Sequence, residues 1–228
     1  MTSSAARTDS SVLPFPCVVD RPIRLGVLIS GGGTTLLNFL DQIRGGQLNA
    51  EVPLVIASQK TCKGVERSLK AGLNCQVIRP RDFSGVGEFS RAVFAELRAA
   101  NVDLVTLAGF LSLLHVPEDF RWRVINIHPS LIPAFCGHGF YGQIVHEAAI
   151  ARGVKFSGCT VHFADNEYDE GPIILQRTVA VPDGCSADEL ATLVFEQEKI
   201  AYPDAIRQLA SGAVRVQGGR TICRPHER

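Results

Sequence analysis

Short apolar runs recur through the first half of the chain, each separated from the next by a segment with helical spacing. IRLGVLI (23–29), VPLVIAS (52–58), CQVIR (75–79), VDLVTLAG (102–109) and RVINIH (123–128) are dominated by aliphatic and β-branched residues. They read as buried strands. Between them, TTLLNFLDQI (34–43) sets Leu36, Leu37, Leu40 and Ile43 at helical spacing. Residues 62–71 read as a second helix stopped by Gly72, and 88–100 as a third with Phe89, Val93, Phe94 and Leu97 on one side. Strands alternating with helices of this length build βαβ units. The expectation is an α/β fold: a Rossmann-like, mostly parallel sheet with helices on both faces.

The second half changes character. Residues 142–152 are helical, but CTVHFA (159–164) and IILQRTVAV (173–181) lie too close together for a crossover helix. They are expected to extend the sheet as an antiparallel hairpin. Ser186 followed by Glu189 is a capping box that opens a long helix to about Leu209, with Gly212 beyond its end. A short hairpin is expected around Gly218 and Gly219 in the tail. Residues 1–22 are expected to form a disordered lead-in, and 213–228 a C-terminal tail.

Composition narrows the classes of function. The 23 Lys and Arg balance the 23 Asp and Glu, which argues against a basic surface for nucleic acid or an anionic membrane. No apolar run approaches the roughly 20 residues that cross a bilayer. The N-terminal stretch has no apolar core of a secretory signal. The seven cysteines (17, 62, 75, 136, 159, 185 and 223) are odd in number and form no CxxC pair. Free thiols in a reducing cytoplasm are expected, without a disulfide framework or zinc site. Cys136 is read as a small buried hydrophobe, because a nucleophilic thiol needs an activating base. No histidine or acid spacing points to a metal.

SGGGTT (30–35) follows the first strand and opens the first helix. Glycines let backbone approach a ligand closely, and the unpaired amides of a helix start favour an anion. Thr34 and Thr35 are expected to cap the helix and add hydroxyl donors. The loop matches neither GxGxxG nor GxxxxGKS, so a single phosphate suits it better than a dinucleotide.

INIHPSLIP (125–133) is the other informative stretch. Alternation along a strand puts Asn126 and His128 on one face, with Ile125 and Ile127 turned to packing on the other. Pro129 restrains the backbone of His128, and Ile132–Pro133 is a candidate cis bond. An amide and an imidazolium aimed at one point could stabilise an oxyanion. A histidine needs a nearby carboxylate to be cationic at neutral pH. The acidic stretch ADNEYDEGP (164–172) offers Asp169. By itself Asn126-x-His128 fits a satisfied core pair as well as a catalytic one. His162 reads as structural or supporting, and His115, His138, His146 and His226 suggest no pairing.

Three stretches together, INIHPSLIP, GCTVHFADNEYDEGPIILQ and FEQEKIAYP (195–203), resemble the phosphoribosylglycinamide formyltransferases, folate-dependent enzymes of purine synthesis. The resemblance implies one formyltransferase domain over 23–212, with a phosphate- and substrate-binding half (23–122) and a catalytic and folate-binding half (123–212). It implies Asn126, His128 and Asp169 as catalytic. It implies Gly32, Gly33, Thr34, Thr35, Gln197 and Glu198 as contacts to glycinamide ribonucleotide. LAGFLSLL (107–114) implies a folate wall of Phe110, Leu111, Ser112, Leu113 and Leu114. Asn126 and the loop Asp165, Asn166, Glu167, Tyr168 and Asp169 would complete the folate site. The implied co-substrate is 10-formyltetrahydrofolate with no metal, and the protein would be a monomer or homodimer.

The chain departs from the family where Thr34-Thr35 replace the usual Ser-Asn. It also departs at Val86 and Ser112, which stand where basic residues often hold the folate tail, and in FCGHGFYGQIVHEA (135–148). The rival reading, formyltetrahydrofolate hydrolase, usually has an added N-terminal domain and a second histidine after the catalytic one. Here few residues precede the first strand and Pro129 follows His128, which favours the transferase.

Overall fold

β1 (Ile23–Ile29) buries nearly every side chain, as a strand must when helices cover both its faces. The computed structural model describes residues 11–14 and 21–223. After β1 come α1 (Thr34–Arg44), β2 (Ala50–Ala57), α2 (Lys63–Lys70), β3 (Cys75–Val77), α3 (Val86–Ala99), β4 (Leu104–Leu107) and β5 (Val124–His128). The second half adds α4 (Gln143–Arg152), β6 (Phe156–Phe163), β7 (Ile173–Ala180), α5 (Ala187–Ala210), β8 (Val214–Gln217) and β9 (Arg220–Cys223). The seven-stranded sheet has the order β3-β2-β1-β4-β5-β6-β7. β1 to β5 are parallel to their neighbours, while β6 and β7 add antiparallel.

The helical stripes read from the sequence are the faces that pack. Leu36 and Phe39 of α1 and Leu190, Val194 and Tyr202 of α5 cover one side of the sheet with Ile125 and Ile127. Phe89, Val93, Phe94 and Leu97 of α3 cover the other with Leu28, Val105 and Val124. β1 leads outward to β2 and β3, and the chain then returns to β4 on the opposite side. The strand order reverses between β1 and β4, and crevices at such reversals collect ligands beyond the strands' carboxyl ends. Ser30 ties the crevice together. Its amide donates to Gly109 O (3.1 Å) and its hydroxyl shares a 2.6 Å hydrogen bond with Ser58. The same oxygen accepts from the Leu111 amide at 3.0 Å.

Several expectations shift at their edges. The strand read over 102–109 is shorter, and β6 starts at Phe156 rather than at 159. Glu88 lies inside α3, which starts at Val86. The capping box of α5 is present, with Ser186 and Glu189 satisfying each other's backbone amides. The tail hairpin forms across Gly218 and Gly219, but it does not trail away from the domain. Val214 and Val216 are buried in the main core, and the Thr221 hydroxyl donates to Ile173 O on β7. This covers an open sheet edge. Val12, assigned to the lead-in, bridges Val216. Cys136 is not a buried hydrophobe: it is half-buried and donates to Pro133 O at 3.3 Å. Cys17 and His226 lie outside the described residues. Among the described residues no helix is long and apolar enough to cross a membrane.

Gly171 closes the loop that carries Asp169. A Cβ there would sit 1.8 Å from Phe163 O, and Phe163 N donates to Pro172 O at 3.0 Å across the same closure. No side chain fits without moving backbone. Gly171→Ala should therefore cost about 1–3 kcal/mol. Thermal or urea denaturation measures the loss, and an unchanged midpoint would contradict this close approach.

Candidate active site

β5 carries Asn126 and His128 to the sheet's carboxyl edge, where its partner residues on β6 are His162 and Thr160. The segment after His128 is held in place by hydrogen bonds. Thr160 Oγ1 donates to Ser130 O (2.7 Å) and accepts from Ile132 N (3.0 Å), and Ser130 Oγ donates to Ala134 O (2.5 Å). The Ile132–Pro133 peptide is cis. These bonds bring Phe135 and Gly137 back over β5.

Asp169 reaches the same place from the hairpin loop, in the left-handed backbone region at φ 60°. Its Oδ2 accepts from Gly137 N at 2.9 Å and lies 3.4 Å from His128 Nδ1. Its Oδ1 accepts a long 3.4 Å bond from Asn126 Nδ2 and lies 3.5 Å from His162 Nε2. All four groups are largely buried. Burial pushes the Asp169 carboxyl up, but His162, His128 and the Gly137 amide outweigh it and hold the group below the ordinary aspartate value.

His128 Nε2 donates to Phe135 O at 2.9 Å, since a carbonyl only accepts. Both ring nitrogens thus face oxygen acceptors, which favours the cation. Burial opposes this and dominates: it pushes His128 below its ordinary value, with Asp169 and the Phe135 carbonyl pulling only part of the way back. His162 takes the supporting place read for it. Its Nδ1 donates to Phe163 O (2.9 Å), and its Nε2 lies 3.2 Å from Asn126 Nδ2 and 3.5 Å from Asp169 Oδ1.

The glycine loop supplies the other end of the site. Gly33, at φ 71°, is the N-cap of α1, and no side chain caps the helix. Thr34 and Thr35 do not have the expected capping role. The first-turn amides of α1 consequently have no partner within the helix. A side chain at Gly33 would come within 2.9 Å of Gly64 Cα, so α2 packs directly on the loop. Gly64 N donates to Gly31 O (3.0 Å), and Arg67 Nη1 donates to Gly32 O (2.6 Å).

One cavity of about 750 Å³ joins these parts. Gly32 to Thr35 line one end, and Phe110, Leu111, Asn126, His128, Tyr168 and Asp169 also line it. A smaller space of about 60 Å³ adjoins, sharing Phe110, Asn126, Tyr168 and Asp169, and adding Ser112, Leu113, Leu114, Asp165 and Glu167. Asn166 lines neither; its Oδ1 accepts from Val116 N at 2.9 Å and braces the loop. Gln197 also lies off the cavity, with Oε1 accepting from Arg177 Nε at 2.9 Å. Ala191, Phe195 and Glu198 form the lining face of α5 instead. Burial pushes the Glu198 carboxyl up to about 8.

Sequence reasoning missed His146 and gave His138 no partner. His138 meets the Tyr168 ring edge-on with centroids 5.7 Å apart. His146 lines the cavity, is 5% exposed, and its Nδ1 has no hydrogen-bond partner. Burial, then His128, pushes its pKa below the ordinary value. Its position on one face of α4 was readable from the sequence, but nothing there showed that this face meets the crevice.

A family model described as formyl transferase matches residues 23–206. The glycinamide ribonucleotide transformylase 1 structure from Symbiobacterium toebii superposes with a TM-score of 0.84 at 39% identity, covering 91% of this chain and 96% of that one. The chloroplastic phosphoribosylglycinamide formyltransferase of Vigna unguiculata is 36% identical over 84% of this chain and 62% of its own length. The trifunctional purine biosynthetic protein adenosine-3 of Gallus gallus is 36% identical over 88% of this chain. The match spans only 20% of that longer relative.

Two measurements test the electrostatics. Asp169→Asn removes a charge that raises the His128 pKa, so an NMR titration should find His128 titrating lower still; an unchanged value would remove the pairing. Glu198 has an ordinary value of 4.5 and a folded value of about 8, so unfolding releases its proton between those limits and stability falls as pH rises. Glu198→Gln should raise Tm near pH 8 and leave it unchanged near pH 4.5. Equal shifts at both pH values would show that Glu198 is ionised in the fold.

Proposed function

The chain belongs to the formyl transferase family, and from that premise we propose that it moves the formyl group of 10-formyltetrahydrofolate onto the amine of glycinamide ribonucleotide. The observation that carries this reading is the convergence of Asn126, His128 and Asp169 between the glycine loop and the Phe110–Leu114 wall, in two cavities that share lining residues. A phosphorylated amine and a formyl-bearing ring would each have an end suited to its chemistry. Their reacting atoms would meet over β5.

The substrate phosphate rests on the amides at the start of α1, where the macrodipole favours negative charge. The folate ring lies against Phe110, Leu113 and Leu114 and under the loop 165–169. The glycinamide nitrogen attacks the formyl carbon, and the carbonyl oxygen becomes an oxyanion. Asn126 Nδ2 and a His128 N–H turn to it as donors. Negative charge there favours the imidazolium, which Asp169 also stabilises. The attacking nitrogen loses a proton and N10 of the folate gains one as the C–N10 bond breaks. Asp169 and His128 are placed to relay that proton. The products are formylglycinamide ribonucleotide and tetrahydrofolate.

Mixing the protein with both substrates and following folate absorbance tests the assignment. Turnover that requires the ribonucleotide supports it, whereas turnover with water alone would make the protein a formyltetrahydrofolate hydrolase. Asn126→Ala removes an oxyanion donor and should lower kcat by about 100- to 1000-fold. An unchanged kcat with folate still bound would place the oxyanion elsewhere.

A further inference from the structure

Among the described residues lining the main cavity there is no lysine or arginine, and two of them, Asp169 and Glu198, are acidic. A phosphate at the glycine loop would meet amides and hydroxyls there, but no cationic side chain. A cation stands behind the loop instead. Arg67 of α2 is half-buried and does not line the cavity, and its Nη1 donates to Gly32 O at 2.6 Å. The carboxylate beside it in sequence, Glu66, pairs with Lys70 at 2.6 Å.

The bond to Gly32 O sets the direction of a peptide. In a trans peptide the C=O and the following N–H point opposite ways. Arg67 draws Gly32 O towards α2, so Gly33 N–H points away from α2, to the cavity that Gly33 lines. One residue earlier, Gly64 N donates to Gly31 O at 3.0 Å and turns Gly32 N–H the same way. Neither amide donates to a backbone carbonyl of the described residues. Two successive N–H groups on one side of the chain form a concave seat for an anion, and the uncapped amides of α1 continue it. Gly64 fixes how closely α2 approaches. A Cβ there would lie 2.5 Å from Ile29 Cδ1 and 2.9 Å from Gly31 O. Arg67 is three residues further along the same helix face, so this contact brings its guanidinium to Gly32.

We propose that Arg67 is a positioning residue for the phosphate of the substrate. It acts through Gly32: its hydrogen bond aims Gly33 N–H, and its charge polarises that peptide towards the anion. The inference rests on the ribonucleotide reading above.

Steady-state kinetics with glycinamide ribonucleotide, and with glycinamide riboside, which lacks the phosphate, test it. Arg67→Ala should raise KM for the ribonucleotide about 10-fold, the cost of one lost charge-assisted hydrogen bond. It should leave kcat and the KM for 10-formyltetrahydrofolate unchanged, the pattern of lost substrate binding. The riboside should react equally well with wild type and variant. Arg67→Lys keeps the charge and should recover part of the loss; it also serves if Arg67→Ala fails to fold. An unmoved KM for the ribonucleotide overturns the proposal. So does an equal loss with the riboside, which would make Arg67 a support of the fold alone. Calorimetry with inorganic phosphate needs no turnover and separates the two readings. Phosphate bound more weakly by the variants than by wild type, with no formyl transfer, removes the substrate reading and keeps the role of Arg67. Phosphate bound equally by all of them removes that role whatever the turnover, and a wild-type protein that binds none removes the anion seat itself.

Discussion

A buried carboxylate must be surrounded by donors, and Asp169 sets the arrangement of the whole site by that requirement. Its two oxygens face Asn126 and His128 from β5, His162 from β6, and the Gly137 amide from the returning segment. The parts come from distant stretches of chain, so the strand edge, the hairpin loop and the 133–137 turn hold one another in register. The left-handed backbone of Asp169 and the close approach at Gly171 are local costs of placing the carboxylate there.

The sheet makes this convergence possible. Parallel strands present their carboxyl ends to one side, and the reversal between β1 and β4 opens the crevice there. The glycine loop follows β1, the Phe110–Leu114 wall follows β4, and the Asn126–His128 pair ends β5. Each end has its own chemistry: uncapped amides for an anion, apolar side chains for a ring, and paired donors and a carboxylate between them. Burial pushes the His128 pKa below its ordinary value, against the pull of Asp169 and the Phe135 carbonyl.

Much of this was legible in the sequence because it is periodic. Alternation along a strand fixed the common face of Asn126 and His128, and helical spacing gave the buried sides of α1 and α3. The Ser186–Glu189 capping box could be read because both partners lie within one turn. Long-range contacts were less accessible. Helix spacing could have grouped Ala191, Phe195 and Glu198 and set Gln197 apart, but only packing showed which face meets the cavity. Thr34 and Thr35 looked like caps until Gly33 took the N-cap position. His146 is a single histidine on a helix until α4 is placed against the crevice. Asp169 was chosen from the acids of its loop because it precedes the stiff Glu170-Gly171-Pro172 exit, though no local pattern brings it to His128.

The account is tested most directly by a crystal structure with glycinamide ribonucleotide and an unreactive formyl-folate analogue bound together. It predicts the phosphate on the amides that open α1, the folate ring against Phe110 and Leu114, and the formyl oxygen about 3 Å from Asn126 Nδ2. It also predicts a His128 N–H turned to that same oxygen with Asp169 still beside the ring. A formyl group bound away from Asn126 and His128, or a phosphate held outside the glycine loop, would contradict it.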